Sequence, residues 1–165
     1  MKVRTTRTRP LVAIDPGLNS MGVAYWEVDS QDGEYVPDHA FLLHAPRFMD
    51  LTNRALWLAR QLDDRLMMVQ GIGHHVVCEY PSYHGSIRGW ATGDLQKLVL
   101  LVGVLVGYFH LASWTLVTPA GWKGQLSKEV VIRRLQKRFG PGATNDWTKD
   151  CWDAVGIGLW KMGRF

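Results

Sequence analysis

The sequence predicts a mixed α/β domain in which a five-stranded sheet is flanked by helices. Three observations support this: the 165-residue length of one ordinary domain, a predicted element order of β-β-β-α-β-α-β-α-α, and two short apolar strands that end in acids. We therefore expect one domain over residues 1–165, with residues 1–9 as a basic and flexible arm. At 47% hydrophobic and 21% charged residues, the composition excludes a disordered chain.

The first part of the chain predicts a hairpin and a third strand. Apolar runs separated by turn residues indicate antiparallel strands. The predicted segments are a strand over Leu11–Asp15, a turn at Pro16 and Gly17, a strand over Met21–Val28, a turn at residues 31–33 and a strand over Phe41–His44.

A helix and a buried strand are expected next. Asp50 can cap a helix that runs to about Gln70, because apolar residues recur at helical spacing from Leu51 to Leu66 and Gly71 then ends the pattern. His75–Glu79 contains a continuous apolar run, which is typical of a strand covered on both faces.

Three helices and one strand complete the predicted order. They are a nearly all-apolar helix over Asp94–Leu111, a strand over Trp114–Val117, a basic helix over Ser127–Phe139 that Gly140 ends, and a last helix over Trp147–Met162. The apolar stretch Leu98–Phe109 is too short to span a bilayer, and no secretory signal opens the chain. Two cysteines do not make a disulfide scaffold. We expect a cytoplasmic protein with no membrane partner.

Four acids lie at positions that the predicted fold would bring close together. Asp15 ends the first strand, Glu79 ends the fourth, and Asp150 and Asp153 share one face of the last helix. Carboxylates suit Mg²⁺ or Mn²⁺, and two such ions about 3.5–4 Å apart can clamp a phosphoryl displacement. For any one acid, a solvated residue or a helix cap is the alternative interpretation.

The acid-bearing segments resemble the motifs of RuvC Holliday-junction resolvases. Each motif alone is weak, but four occur in the family's order between about Leu11 and Trp160. They are Ala13-Ile14-Asp15-Pro16-Gly17 with Gly22-Val23-Ala24, Val77-Cys78-Glu79, Thr118-Pro119-Ala120-Gly121-Trp122-Lys123-Gly124 followed by Lys128, and Asp150-Cys151-Trp152-Asp153-Ala154-Val155.

The resemblance implies an RNase H-like fold, a homodimer, and metal-dependent nicking of four-way DNA junctions. By position, Asp15, Glu79, Asp150 and Asp153 would be the metal-binding catalytic acids, with two Mg²⁺ ions, or Mn²⁺ as a substitute. Lys123 would be a catalytic lysine near the scissile phosphate, and Lys128 would match a second one. The segment between the lysines is shorter than in the cellular enzymes, and the compact length resembles phage-encoded members acting in a bacterial host.

Basic and aromatic residues are candidates for DNA contacts. A net charge of +4 fits a nucleic-acid partner without requiring one. Arg133 and Arg134 lie on the basic helix with Lys137 and Arg138, where a solvated face is the alternative. On the loop after Glu79, Tyr83 is the first choice for an aromatic that stacks on bases, and Arg88 lies nearby.

The apolar helix over Asp94–Leu111 is the expected dimer interface. It is apolar almost all round, and Gly103 and Gly107 leave one face open to close approach. The alternative is a helix buried between the sheet and the last two helices.

The leading hypothesis is a junction-resolving endonuclease that nicks opposed strands. The rivals are a broader nuclease for forks, flaps and Y-junctions, a non-catalytic junction-binding module, and an actin-like ATPase. The intact acids argue against the module. One domain of this size cannot build a two-lobed nucleotide cleft, and no Walker or Rossmann glycine motif is present, so no nucleotide cofactor is expected.

Overall fold

A mixed sheet forms the centre of the molecule. The computed structural model describes residues 9–27, 35–82, 93–140 and 146–165. Its five strands lie in the order β3-β2-β1-β4-β5, with β1 antiparallel to β2 and parallel to β4. The strands are β1 (Leu11–Asp15), β2 (Ser20–Trp26), β3 (His39–His44), β4 (His75–Glu79) and β5 (Ser113–Val117).

Helices cover both faces of this sheet. They are α1 (Leu51–Leu66), α2 (Asp94–Tyr108), α3 (Pro119–Lys123), α4 (Lys128–Phe139) and α5 (Lys149–Lys161), with a 3-10 turn over Val69–Gly71. Helices α1 and α2 pack together on one face, and α3, α4 and α5 share a second buried cluster on the other. This architecture confirms the predicted mixed five-stranded sheet flanked by helices. No helix within the described ranges is both long and apolar enough to cross a bilayer.

Two predicted strands have the observed bounds, and the other three differ by one or two residues at one end or both. Strand β2 runs over Ser20–Trp26 rather than Met21–Val28, and β5 begins at Ser113 rather than Trp114. Leu11–Asp15 and His75–Glu79 have the predicted bounds, and β1 and β2 form the predicted hairpin. The third strand starts two residues early, at His39, where it pairs with Tyr25. The turn predicted at residues 31–33 lies outside the described residues.

The predicted helix bounds need correction, and one helix was not predicted. Helix α2 ends at Tyr108 rather than at Leu111, α4 begins at Lys128, and α5 begins at Lys149 rather than at Trp147. Helix α1 ends at Leu66 rather than near Gln70, because Met67 adopts a left-handed conformation and its N–H bonds back to Asp63. The short helix α3 was not predicted. Pro119 stands at its start, where a missing N–H costs nothing, and the Thr118 side chain caps it by accepting from the N–H of Gly121.

The apolar helix α2 lies on the opposite face of the sheet from α4 and α5. The interpretation that it is buried between the sheet and the last two helices is therefore wrong. Leu101, Val102 and Leu105 face the core, whereas Leu100 is 45% exposed. Helix α2 thus uses one apolar face for the core and presents another outward.

Candidate active site

Two of the predicted acids meet because their strands are parallel neighbours. Ala13 of β1 pairs with Val77 of β4, and both side chains lie in the cluster under α5. Since side chains alternate along a strand, Asp15 and Glu79, two residues further on, project from that same face at the carboxyl edge. The structure thus places these two acids side by side, as the sequence predicted.

Helix α5 brings the other two acids to the same edge. Its N-terminal turn lies directly on Gly22, the β2 partner of Asp15. A Cβ atom at Gly22 would stand only 2.1 Å from the carbonyl oxygen of Asp150, so only glycine permits this approach. The Ser20 hydroxyl also donates a hydrogen bond of 3.3 Å to Oδ2 of Asp150. Asp150 and Asp153 are consequently held above the ends of the strands.

Lys128, the first residue of α4, contacts both helix acids. Its Nζ atom lies 2.7 Å from Oδ2 of Asp153 and 3.1 Å from Oδ1 of Asp150. Burial alone would lower the pKa of Lys128, but the Asp153 and Asp150 carboxylates raise it, so the ammonium stays charged. Lys128 was predicted to contact DNA, and in this structure its ammonium is the internal cation of the acid cluster.

The strand acids have a different environment. Burial, followed by the charges of Glu79 and Asp153, raises the pKa of Asp15 well above its usual range. Burial also raises the pKa of Glu79, although a hydrogen bond from Trp122 and the charge of Lys123 oppose the shift. Both strand carboxyls are therefore costly to ionise without a nearby cation.

Trp122 and Ser20 are site residues that sequence reasoning missed. The indole Nε1 of Trp122 donates a 2.6 Å hydrogen bond to Oε2 of Glu79. The signal for Trp122 was its place directly before Lys123, whose Nζ atom lies 4.9 Å from the centre of the indole ring. Nothing in the sequence around Ser20 indicates a role at the site, because its hydrogen bond to Asp150 forms only where α5 packs on β2.

The residues present suit a divalent cation in their chemistry. All four acids supply hard oxygen ligands, and Oδ1 of Asp153 is buried with no hydrogen-bond partner among the described residues. An ammonium group already lies against Asp150 and Asp153, which marks this as a position where positive charge is stable. As arranged here, no three acids, histidines or cysteines of the described ranges stand close enough to hold one ion.

The other predicted site residues are more dispersed. Arg133 and Arg134 are exposed on α4, more than one turn after Lys128, the residue that contacts the acids. The Arg138 guanidinium donates instead to the backbone oxygen of Arg164 at 2.5 Å. Tyr83 and Arg88 lie outside the described residues, as does the basic arm up to residue 8.

Known structures share this fold at low sequence identity. The Thermus thermophilus RuvC in complex with a Holliday junction substrate matches with a TM-score of 0.67 and 14% identity over 95% of this chain and 98% of that chain. A second T. thermophilus RuvC structure gives 0.62 and 16% over 94% and 97%. The yeast mitochondrial Holliday junction resolvase Ydc2 gives 0.63 and 12% over 92% and 77%.

Sequence comparison adds no relative. No protein-family model matches this chain, and no curated protein matches it in sequence. The chain thus has the fold of the RuvC-like resolvases, which confirms the predicted RNase H-like class. The roles of its acids and lysines rest on the contacts and chemistry of this chain's own residues.

Proposed function

We propose that this protein is an endonuclease that resolves four-way DNA junctions by metal-dependent phosphodiester hydrolysis, nicking opposed strands. The observation that carries the proposal is the gathering of Asp15, Glu79, Asp150 and Asp153 from three elements at one edge of the sheet. This arrangement occurs in a fold shared with a RuvC in complex with a Holliday junction substrate and with a yeast mitochondrial Holliday junction resolvase.

The four acids would hold Mg²⁺ or Mn²⁺, two ions in each site, once they draw closer together than they stand in the metal-free chain. Such ions activate a water molecule and stabilise the leaving oxygen of a phosphodiester. The side chains of this chain would prepare for that chemistry. Gly22 and Ser20 keep Asp150 over the strand ends, Trp122 fixes Glu79, and the Lys123 ammonium lies where it can meet a phosphate.

Basic residues beside the acids would bind the DNA backbone. Arg133 and Arg134 are exposed on α4, the helix that begins with Lys128 at the acid cluster. Because four carboxylates repel phosphates, nearby guanidinium groups would offset that repulsion and align the strand. We propose that α4 supplies sequence-independent affinity for the junction arms.

Changing the strand acids tests the proposal directly. Asp15→Asn or Glu79→Gln should reduce cleavage of a synthetic four-way junction by at least about 10³-fold, because each removes a charge that metal binding requires. Junction binding in a gel-shift assay should be retained or tightened, because repulsion of phosphate falls. Asp64→Asn, at an exposed acid on α1, is the matched control and should cut normally.

The substrates and the metal distinguish the rivals. Junction, fork and flap DNAs assayed together would show a broader branched-DNA nuclease if all three are cut equally. Tight binding without any cutting in Mg²⁺ or Mn²⁺ would indicate a non-catalytic module. Near wild-type cleavage by Asp15→Asn would contradict the active-site assignment.

We also propose a two-fold dimer through α2, because opposed strands of a junction need two matching active sites. The outward face of α2 carries the exposed Val99 and Leu100. Within the described residues, a Cβ atom at Gly103 or Gly107 would meet nothing within 4 Å, so a second helix could approach closely.

Sedimentation would test this interface. Gly103→Leu should convert a dimer into monomers that bind junctions weakly and nick one strand at a time. Phe48→Ala, at an 88% exposed side chain outside α2, should leave the dimer intact. A wild-type monomer at micromolar concentration that nevertheless cuts both strands in concert would refute the dimer.

A further inference from the structure

The indole of Trp122 combines deep burial with a polar contact to an acid. Trp122 is 3% exposed, and its Nε1–H donates to Oε2 of Glu79 at 2.6 Å. An indole N–H can only donate, and a buried one needs an acceptor. The acceptor here is the carboxylate of Glu79, one of the proposed metal ligands.

We propose that Trp122 is a positioning residue that orients Glu79 for metal binding, an inference that rests on the proposed function. A fixed donor on Oε2 holds the carboxylate plane in one orientation and leaves Oε1 available to a cation. Groups that hydrogen-bond a metal ligand from behind commonly set its affinity in this way.

The indole is well placed to act as a fixed donor. Its ring lies over α5 at Gly156, where a Cβ atom would stand 2.7 Å from Cζ3, and it makes an edge contact with Phe165 at 5.4 Å. The backbone of α3 is held by the cap from Thr118. Because the ring is held on two sides, its N–H cannot follow Glu79 through a large rotation.

Trp26 is a control residue, because it packs in the same way as Trp122 but does not contact an acid. It is also buried, at 5% exposed, and its ring also lies on a glycine of α5, namely Gly158. Its Nε1–H, however, donates to the backbone oxygen of Tyr35 at 3.2 Å rather than to an acid. The two tryptophans thus share packing and differ in the group they hold.

Mn²⁺ affinity of the DNA-free protein, measured by titration calorimetry, provides a readout that does not depend on cleavage. Trp122→Phe keeps an aromatic ring but loses the donor, and should weaken Mn²⁺ binding about 10–100-fold. Trp26→Phe removes the indole donor of a second buried tryptophan and should leave Mn²⁺ affinity unchanged. Thermal melting of both variants checks that each is folded.

A double-variant cycle tests whether Trp122 acts through Glu79. In a Glu79→Ala background, Trp122→Phe should cause no further loss of Mn²⁺ affinity, whereas independent effects would multiply. If Trp122→Phe does not fold, benzothienylalanine at position 122 keeps the shape of the indole and replaces its N–H with sulfur. The same loss of affinity is expected for it.

The outcomes separate the two proposals. Wild-type affinity in the Trp122→Phe or benzothienylalanine protein would overturn the positioning role while the metal-dependent function stands. A double variant whose loss of Mn²⁺ affinity equals the product of the two single losses would overturn it as well. A wild-type protein that binds no Mn²⁺ would instead contradict the proposed function, and the positioning role with it.

Discussion

Asp15 and Glu79 end two adjacent strands, whereas Asp150 and Asp153 stand on the first turns of α5, and the two pairs have different partners. The helix acids share the ammonium of Lys128 at 3.1 and 2.7 Å. For the strand acids, burial is the largest influence and raises both pKa values. Lys128 thus offsets about one of the two negative charges of the helix pair by direct contact, whereas at the strand pair burial outweighs the opposing effects of the nearby lysines.

This difference indicates which acids most need an added cation. Ionised carboxyls in a buried position are unfavourable unless a positive charge is close, and a divalent ion would supply that charge at the strand ends. Lys128 supplies it at the helix end before any metal binds.

Gly22→Ala should separate the two pairs. The added methyl group would overlap the Asp150 backbone and push the start of α5 away from the strands. Because displacements near 1 Å can cost about 10²-fold in rate, we expect a loss of at least that size in junction cleavage. Overpacking should also cost about 1–3 kcal/mol of unfolding free energy. Wild-type cleavage by Gly22→Ala would mean that the two pairs need not lie close together.

Lys128→Met should remove the internal cation and leave Asp153, only 4% exposed, without it. Because Lys128 is itself partly exposed, we expect a loss of about 2–3 kcal/mol in the metal-free protein, less than for a fully buried pair. Chemical denaturation with and without Mn²⁺ measures this loss, and added Mn²⁺ should recover part of it.

The control for Lys128→Met is Lys97→Met, which opens an exposed 2.9 Å ion pair with Asp94 on α2. Such surface pairs contribute about 0.5 kcal/mol. Equal losses for the two variants would show that the Lys128 contacts behave as an ordinary surface pair.

Asp15→Asn should stabilise the metal-free protein by about 1–2 kcal/mol at neutral pH, because it removes a charge that is costly to bury. The pKa of Asp15 is raised in the folded state, so the folded protein binds its proton more tightly than the unfolded chain does. Unfolding free energy should therefore fall as pH rises from the ordinary carboxyl range, near pH 4, up to the raised pKa.

Thermal melting across this pH window gives the measurement. The wild-type protein should lose stability with rising pH in a chelator, and Asp15→Asn should flatten that dependence. Mn²⁺ should also flatten it in the wild type, since the ion replaces the proton. If stability varies with pH in the same way in the wild type and in Asp15→Asn, the Asp15 carboxylate is not costly to bury at the strand ends.

Local patterns in the sequence were sufficient for most of the fold. The apolar runs of β1 and β4, the cap at Asp50 and the breaks at glycine predicted nearly every element, because each signal lies within one segment. The sequence also predicted at which edge of the sheet the four acids lie, because parallel neighbouring strands have their carboxyl ends at the same edge. The chemistry of hard oxygen ligands depends only on residue type, so the sequence could suggest it as well.

The partners of those acids depended on the tertiary structure. The contacts of Trp122 with Glu79, of Lys128 with Asp153 and of Gly22 with Asp150 join residues on different elements. Periodicity says nothing about such contacts, because they arise where helices pack on a sheet. The open face of α2 was settled in the same way: apolar residues surround that helix, and only the side of the sheet on which it lies decides which face is buried.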